Sequence, residues 1–177
     1  MIEKESRSAK VQCPEPVRQQ SSRPRLVSYQ SEKTLVDEFV NSLSILPGPW
    51  GMLQTAREFF YQRGRTDVIA LADDGRIIAF EAKLTKWRNA LHQAYRNTCF
   101  AHCSYVVLPK QVAVNAQKYV AEFKLRGVGL CYVCDNEGLV VLVEANESQP
   151  LEPWLSSQAA VEVGRERAIW KPVRSIK

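Results

Sequence analysis

Residues 68–71 and 76–82 are β-branched and apolar runs separated by Asp73-Asp74-Gly75, and no other stretch narrows the choice of fold as much. Asp and Gly accept the backbone angles of a tight connection, so the pattern predicts an antiparallel hairpin. An aromatic run at 57–62 precedes it and predicts a third consecutive strand.

The flanking segments extend this core. Ser31 stands ahead of Leu35, Val36, Phe39, Val40 and Leu43, which recur at helical spacing up to Pro47-Gly48-Pro49, so a capped first helix is expected. Trp87, Ala90, Leu91, Ala94 and Tyr95 return to that spacing after the hairpin, with Thr85 as the expected cap. The apolar run 104–108 ends at Pro109 and reads as a buried strand. Val112, Ala116, Tyr119, Val120 and Phe123 read as one further helix, and 129–133 and 139–144 as two strands around Asp135-Asn136-Glu137-Gly138. The expected order is helix, three strands, helix, strand, helix, two strands, an α/β domain with a mixed sheet flanked by helices.

A chain of 177 residues has room for one domain with a proper core, and 45% hydrophobic with 24% charged residues is ordinary for a soluble globular protein. Residues 1–30, rich in Ser, Gln, Pro, Lys and Arg, predict a flexible basic tail. The domain pattern occupies 31–145, and the Pro-interrupted 146–177, with isolated Trp154 and Trp170, predicts an irregular or partly helical appendage. No apolar run approaches the roughly 20 residues of a membrane span, and residues 1–20 lack the apolar centre of a secretory signal. A cytoplasmic protein without a membrane partner is expected. Five scattered cysteines are expected to be reduced. Cys131 and Cys134 form a CxxC, but their odd offset in a strand sends them to opposite faces, which argues against a shared metal. His92 and His102 have no nucleophile setting and receive no role. The formal charge of +5 favours an anionic partner or a solvated basic surface.

Glu81 and Lys83 are the anomaly. Two apart in a strand, they should leave the same face, and at the end of an apolar strand they are costly unless solvated, paired or metal-bound. Asp67 begins the partner strand, and the turn at Asp74 brings the start of one strand beside the end of the other. Two carboxylates about one Mg²⁺, with a cation to orient water, would make a minimal phosphodiester-cleaving site.

Thr66-Asp67, the hairpin and Glu81-Ala82-Lys83 together resemble the D…E-x-K signature of the PD-(D/E)xK, restriction-endonuclease-like nuclease superfamily. Thr66 stands where the superfamily's name has proline, and the resemblance spans roughly 31–145. It implies a nuclease in which Asp67 and Glu81 bind Mg²⁺ or Mn²⁺ and Lys83 assists the attacking water. It implies DNA as substrate, with RNA left open, and a homodimer left open where both strands are cut. Many members also place a metal-associated Glu on the first helix. At about 100° per residue, Glu32 falls on the arc of Leu35, Val36, Phe39, Val40 and Leu43, so the role is carried to it, although the helix macrodipole also favours a Glu there. Glu32 with Leu35 is also similar to the E-x-x-L run of archaeal Holliday-junction resolvases. Gln93 resembles the glutamine that follows the E-x-K strand in several nuclease branches, where it supports the site. Arg63, Arg65, Arg88 and Arg96 are the expected phosphate contacts. The alternative is a non-catalytic module of the same fold that binds nucleic acid or protein.

Overall fold

The computed structural model describes residues 29–45, 48–62, 64–134 and 138–169. The expected basic tail up to residue 28, Arg63 and the turn residues 135–137 lie outside them. In chain order the elements are α1 (Glu32–Ile45), β1 (Leu53–Tyr61), β2 (Gly64–Ala72), β3 (Ile77–Ala82), α2 (Trp87–Asn97), β4 (Cys103–Val107), α3 (Lys110–Gln117), α4 (Val120–Arg126), β5 (Gly129–Cys134), β6 (Gly138–Val143) and α5 (Pro153–Ile169). The six strands form one sheet in the order β1-β2-β3-β4-β5-β6. Pairing is antiparallel across β1, β2 and β3, parallel across β3, β4 and β5, and antiparallel between β5 and β6. This is the mixed α/β sheet flanked by helices that the sequence predicts.

Every residue of β3 and β4 is buried, because helices cover both faces of the sheet. On one face α1 lays Leu35, Phe39 and Leu43 over Val68, Ala70, Ile78, Phe80 and Ala82. On the other, α2 and α3 bring Ala90, Leu91, Ala94, Ala113 and Ala116 against Val106 and Leu130. The same face is completed by α5, whose Leu155, Ala159 and Val163 meet Ala56, Phe59, Ile69, Ile77 and Ala79. Leu155, Ala159 and Val163 recur every four residues, so one apolar stripe seats the helix.

Two local expectations need correction. The single helix expected over Val112 to Phe123 is two, because Tyr119 leaves the helical conformation at φ −105, ψ 32 and starts α4. Thr85 does not cap α2: Lys86 occupies that position, without a side-chain cap. The segment after Ala145, expected to be irregular or partly helical, holds the 17-residue helix α5. The Ser31 cap does form, its hydroxyl accepting the Thr34 N–H at 3.2 Å.

Candidate active site

A strand buried on both faces tolerates an ionisable group only where neighbours support it. In β3 that group is Glu81, which is 0% exposed. Its Oε1 accepts a hydrogen bond from the Asn97 side-chain amide at 2.7 Å, while Oε2 has no hydrogen-bond partner. Burial first, and the Asp67 carboxylate second, push the Glu81 carboxyl up to about 8, against the pull of Asn97, Lys83 and Arg96. The carboxyl therefore keeps its proton at neutral pH.

Asn97 is the residue the sequence reading missed. It is the last residue of α2, fully buried, and its Oδ1 accepts from the Tyr61 hydroxyl at 2.7 Å and the Thr66 hydroxyl at 3.0 Å. Two O–H donors on Oδ1 fix the amide orientation, so Nδ2 must face Glu81. Burial raises the Tyr61 hydroxyl to about 12, which keeps it a donor. The signal lay in the spacing: Asn97 continues the arc of Ala90 and Ala94, and a polar side chain on an apolar stripe needs a partner inside.

Asp67 sits where two strands part. The β2–β3 ladder stops at Val68 opposite Phe80. Beyond it, the Ala82 N–H donates to Asp67 Oδ2 at 2.9 Å, which carries the Asp67 carboxylate across to the end of β3. Its Oδ1 lies 3.9 Å from the Arg65 guanidinium.

Lys83 corrects an expectation. Its ammonium meets Glu32 Oε2 of α1 at 2.9 Å, whereas Glu81 is held by Asn97 of α2, so helices on opposite faces of the sheet hold the two side chains. Alternation fixes a common face only while the strand persists, and β3 ends at Ala82. The Lys83 charge nevertheless acts on Glu81 around the strand end. Glu32 is thereby brought to Lys83.

Of the remaining expected residues, Gln93 is half-buried one helical turn before Asn97. Arg65 pairs with Glu58 at 3.2 Å and reaches toward Asp67. Arg96 acts electrostatically on Glu81 and Tyr61. Arg88 stands apart, bonded to Glu122 of α4 at 2.8 Å and lying over the rings of Trp87 and Tyr119 at 4.1 and 4.7 Å. The four described cysteines are free thiols. Cys131 packs with the α1-side core and Cys134 with the α2-side core, as the CxxC offset requires.

Glu81 and Asp67 offer hard oxygen atoms, and the partnerless Glu81 Oε2, once the carboxyl has given up its proton, is a buried acceptor that a cation would satisfy. Among the described residues no group of three or more His, Cys, Asp or Glu side chains is arranged to hold an ion. The chain would therefore supply two carboxylates, leaving other positions to water and a substrate phosphate. That donor set suits Mg²⁺, which dehydrates reluctantly and is commonly held by one or two carboxylates with substrate phosphates.

No family model and no curated protein matches the sequence. Among solved structures, a Silicibacter pomeroyi protein of unknown function, SPO1766, is similar over 65% of this chain and 74% of its own, with 17% identity and a TM-score of 0.48. A repair endonuclease from Pyrococcus abyssi is similar over 69% of this chain and 50% of its own, with 17% identity and a TM-score of 0.36. Pyrococcus furiosus SfsA, solved in complex with Ca²⁺, is similar over 54% and 56%, with 11% identity and a TM-score of 0.30. No helix among the described residues is long and apolar enough to cross a membrane.

Proposed function

We propose that this chain is a divalent-metal-dependent phosphodiesterase that cuts DNA. The observation that carries the reading is Glu81, wholly buried with one oxygen fixed by Asn97 and the other unpartnered, beside Asp67 at the opened end of the β2–β3 ladder. Asp67 and Glu81 would hold Mg²⁺ or Mn²⁺, which when bound polarises a phosphoryl group and acidifies a coordinated water. Asn97, itself locked by Tyr61 and Thr66, presents Glu81 Oε2 to the site. Lys83, restrained by Glu32, would orient the attacking water and offset charge growing on the phosphoryl oxygens. Water adds to phosphorus, the P–O bond breaks, and a phosphate monoester and a hydroxyl result. Gln93 supports the helix face carrying Asn97, and Arg65 and Arg96, with Arg63, meet neighbouring phosphates. DNA rather than RNA follows the usual substrate of the superfamily that the D…E-x-K pattern resembles.

The test is cleavage of single-stranded, duplex and branched DNA in Mn²⁺ by the native chain, Lys83→Ala and Asp67→Ala, with thermal melting alongside. Native cleavage reduced by about 100-fold or more in both variants, with a Mn²⁺-dependent rise in melting temperature lost in Asp67→Ala, supports the reading. Equal activity in the native chain and Lys83→Ala removes the mechanism. No cleavage and no metal response favours a non-catalytic binding module.

A further inference from the structure

Phe60, near the tip of the β1–β2 hairpin, is 66% exposed. Simple alternation would have placed it on the face of buried Ala56, two positions at a time. Glu58 interrupts the alternation with φ 55, a left-handed conformation that non-glycine residues rarely adopt. Past that point Phe59 and Tyr61 turn inward against Phe100, with ring centroids 5.3 and 5.1 Å away, and Phe60 turns out on the opposite face. Its cross-strand partner is Arg65, whose guanidinium carbon lies 6.0 Å from the Phe60 ring centroid. The same guanidinium reaches to 3.9 Å from Asp67 Oδ1. An exposed ring, a cation and a site carboxylate thus follow one another along the hairpin edge. Positive charge stands on the other side too, since a Cβ built at Gly64 would lie 3.9 Å from an Arg96 terminal nitrogen.

We propose that Phe60 and Arg65 form a stacking step for an unpaired nucleotide beside the scissile phosphate, so that the substrate class is single-stranded or locally unpaired polynucleotide. The proposal rests on the phosphodiesterase reading of Asp67 and Glu81. Arg65 and Arg96 flanking the tip suit a polyanion, and the ring between them and open solvent suits a flat apolar surface. In a duplex each base face is covered by its neighbours, so the ring would meet only sugar and phosphate edges. An unpaired strand offers bare base faces, and every base has one, so the contact is independent of sequence. Arg65 then serves twice, neutralising the adjoining phosphate and lying against the stacked ring system.

The experiment measures binding of a labelled oligothymidylate and of a duplex of equal length in EDTA, at physiological ionic strength, for the native chain, Phe60→Ala, Phe60→Trp and Phe60→Leu. Metal-dependent cleavage of both DNAs is followed in parallel. Because Phe60 is exposed, all variants should melt as the native chain does. Phe60→Ala should weaken oligothymidylate binding by roughly five- to 150-fold, the range for losing one base–aromatic stack, and duplex binding by less than about twofold. Phe60→Trp should retain the preference, and Phe60→Leu, equally apolar but without a π face, should not. Equal losses on both DNAs, no loss on either, or full retention in Phe60→Leu overturns the stacking step, and self-association lost in Phe60→Ala with DNA binding unchanged assigns the ring to a protein contact instead. Oligothymidylate hydrolysis indifferent to Phe60→Ala overturns the stacking step and leaves the phosphodiesterase standing. A single-strand preference that depends on Phe60 in a chain that hydrolyses neither DNA overturns the phosphodiesterase and leaves a binding platform.

Discussion

Replacing Glu81 by Gln isolates the electrostatic content of the site, since the two side chains have nearly the same volume and the amide oxygen can still accept from Asn97. In the native chain, burial and the Asp67 carboxylate raise the Glu81 carboxyl from 4.5 to about 8. Between those values the folded chain holds a proton that the unfolded chain has released, so stability falls as pH rises. The contribution is intact below about pH 4.5, declines through neutrality, and is lost above about pH 8. One pH unit inside the window corresponds to about 1.4 kcal/mol, which sets an upper limit on the order of several kcal/mol, lowered by whatever water and relaxation reach the carboxylate. Glu81→Gln carries no charge to release and lacks this slope. Urea unfolding near pH 5, 7 and 9 should therefore show the variant close to the native chain at the acid end and more stable by about 2 kcal/mol or more at the alkaline end. Parallel stability curves for the two proteins across that range would refute the assignment of Glu81 as a buried, proton-retaining carboxyl.

Binding of a cation at Glu81 must displace that proton, so the rise in melting temperature on adding Mn²⁺ should grow between pH 6 and 9 and vanish in Glu81→Gln, as differential scanning fluorimetry can record. Asn97→Ala strands Glu81 Oε1 and the Tyr61 and Thr66 hydroxyls; at about 1–3 kcal/mol for each buried polar group left unsatisfied, urea unfolding should show a loss of at least about 3 kcal/mol, and a loss under about 1 would deny the hub. A Cβ at Gly129 would fall 2.2 Å from the Tyr105 ring and 2.9 Å from the Ala145 backbone nitrogen, so Gly129→Ala should destabilise by about 1–3 kcal/mol or more by overpacking, read out by the same unfolding assay.

The parts of the fold legible in the sequence were those set by neighbours a few residues away. Gly75 takes φ 87 in a turn that Asp73-Asp74-Gly75 announces, and Ser31 caps the helix whose apolar stripe it precedes. Tyr119 was not legible, because the spacing from Val112 to Phe123 runs on through it and neither Gly nor Pro marks the break. Asn97 escaped because the apolar residues that mark the second helix stop at Tyr95, two residues short of the polar group on its buried arc. The geometry of Glu81 and Lys83 was half legible: their approach to one another followed from the motif, but alternation could not show that the strand stops between them and hands each to a different helix. Glu58 gave no signal, since a left-handed glutamate is paid for by tertiary contacts of Phe59 and Tyr61 that the local sequence does not encode.

The site owes its position to unequal pairing on the two sides of β3. With β4 the ladder continues to Ala82 opposite Val107, whereas with β2 it ends at Phe80 opposite Val68. The last two residues of β3 thus keep one neighbour and lose the other, and the Ala82 N–H needs an acceptor, which Asp67 supplies. Asp67 therefore has a structural duty separable from its charge. Asp67→Asn keeps an oxygen for the Ala82 N–H and should stay within about 1 kcal/mol of native stability, while removing the carboxylate that raises Glu81 and so moving the Glu81 titration downward. Asp67→Ala deletes the acceptor and should cost about 1–2 kcal/mol more than Asp67→Asn. If cleavage falls by 100-fold in both while only Asp67→Ala loses stability, the carboxylate acts on the chemistry and the oxygen on the fold. Equal destabilisation by the two substitutions would mean that Asp67 does not close the end of β3, and the opened strand end would no longer explain why the carboxylates meet there.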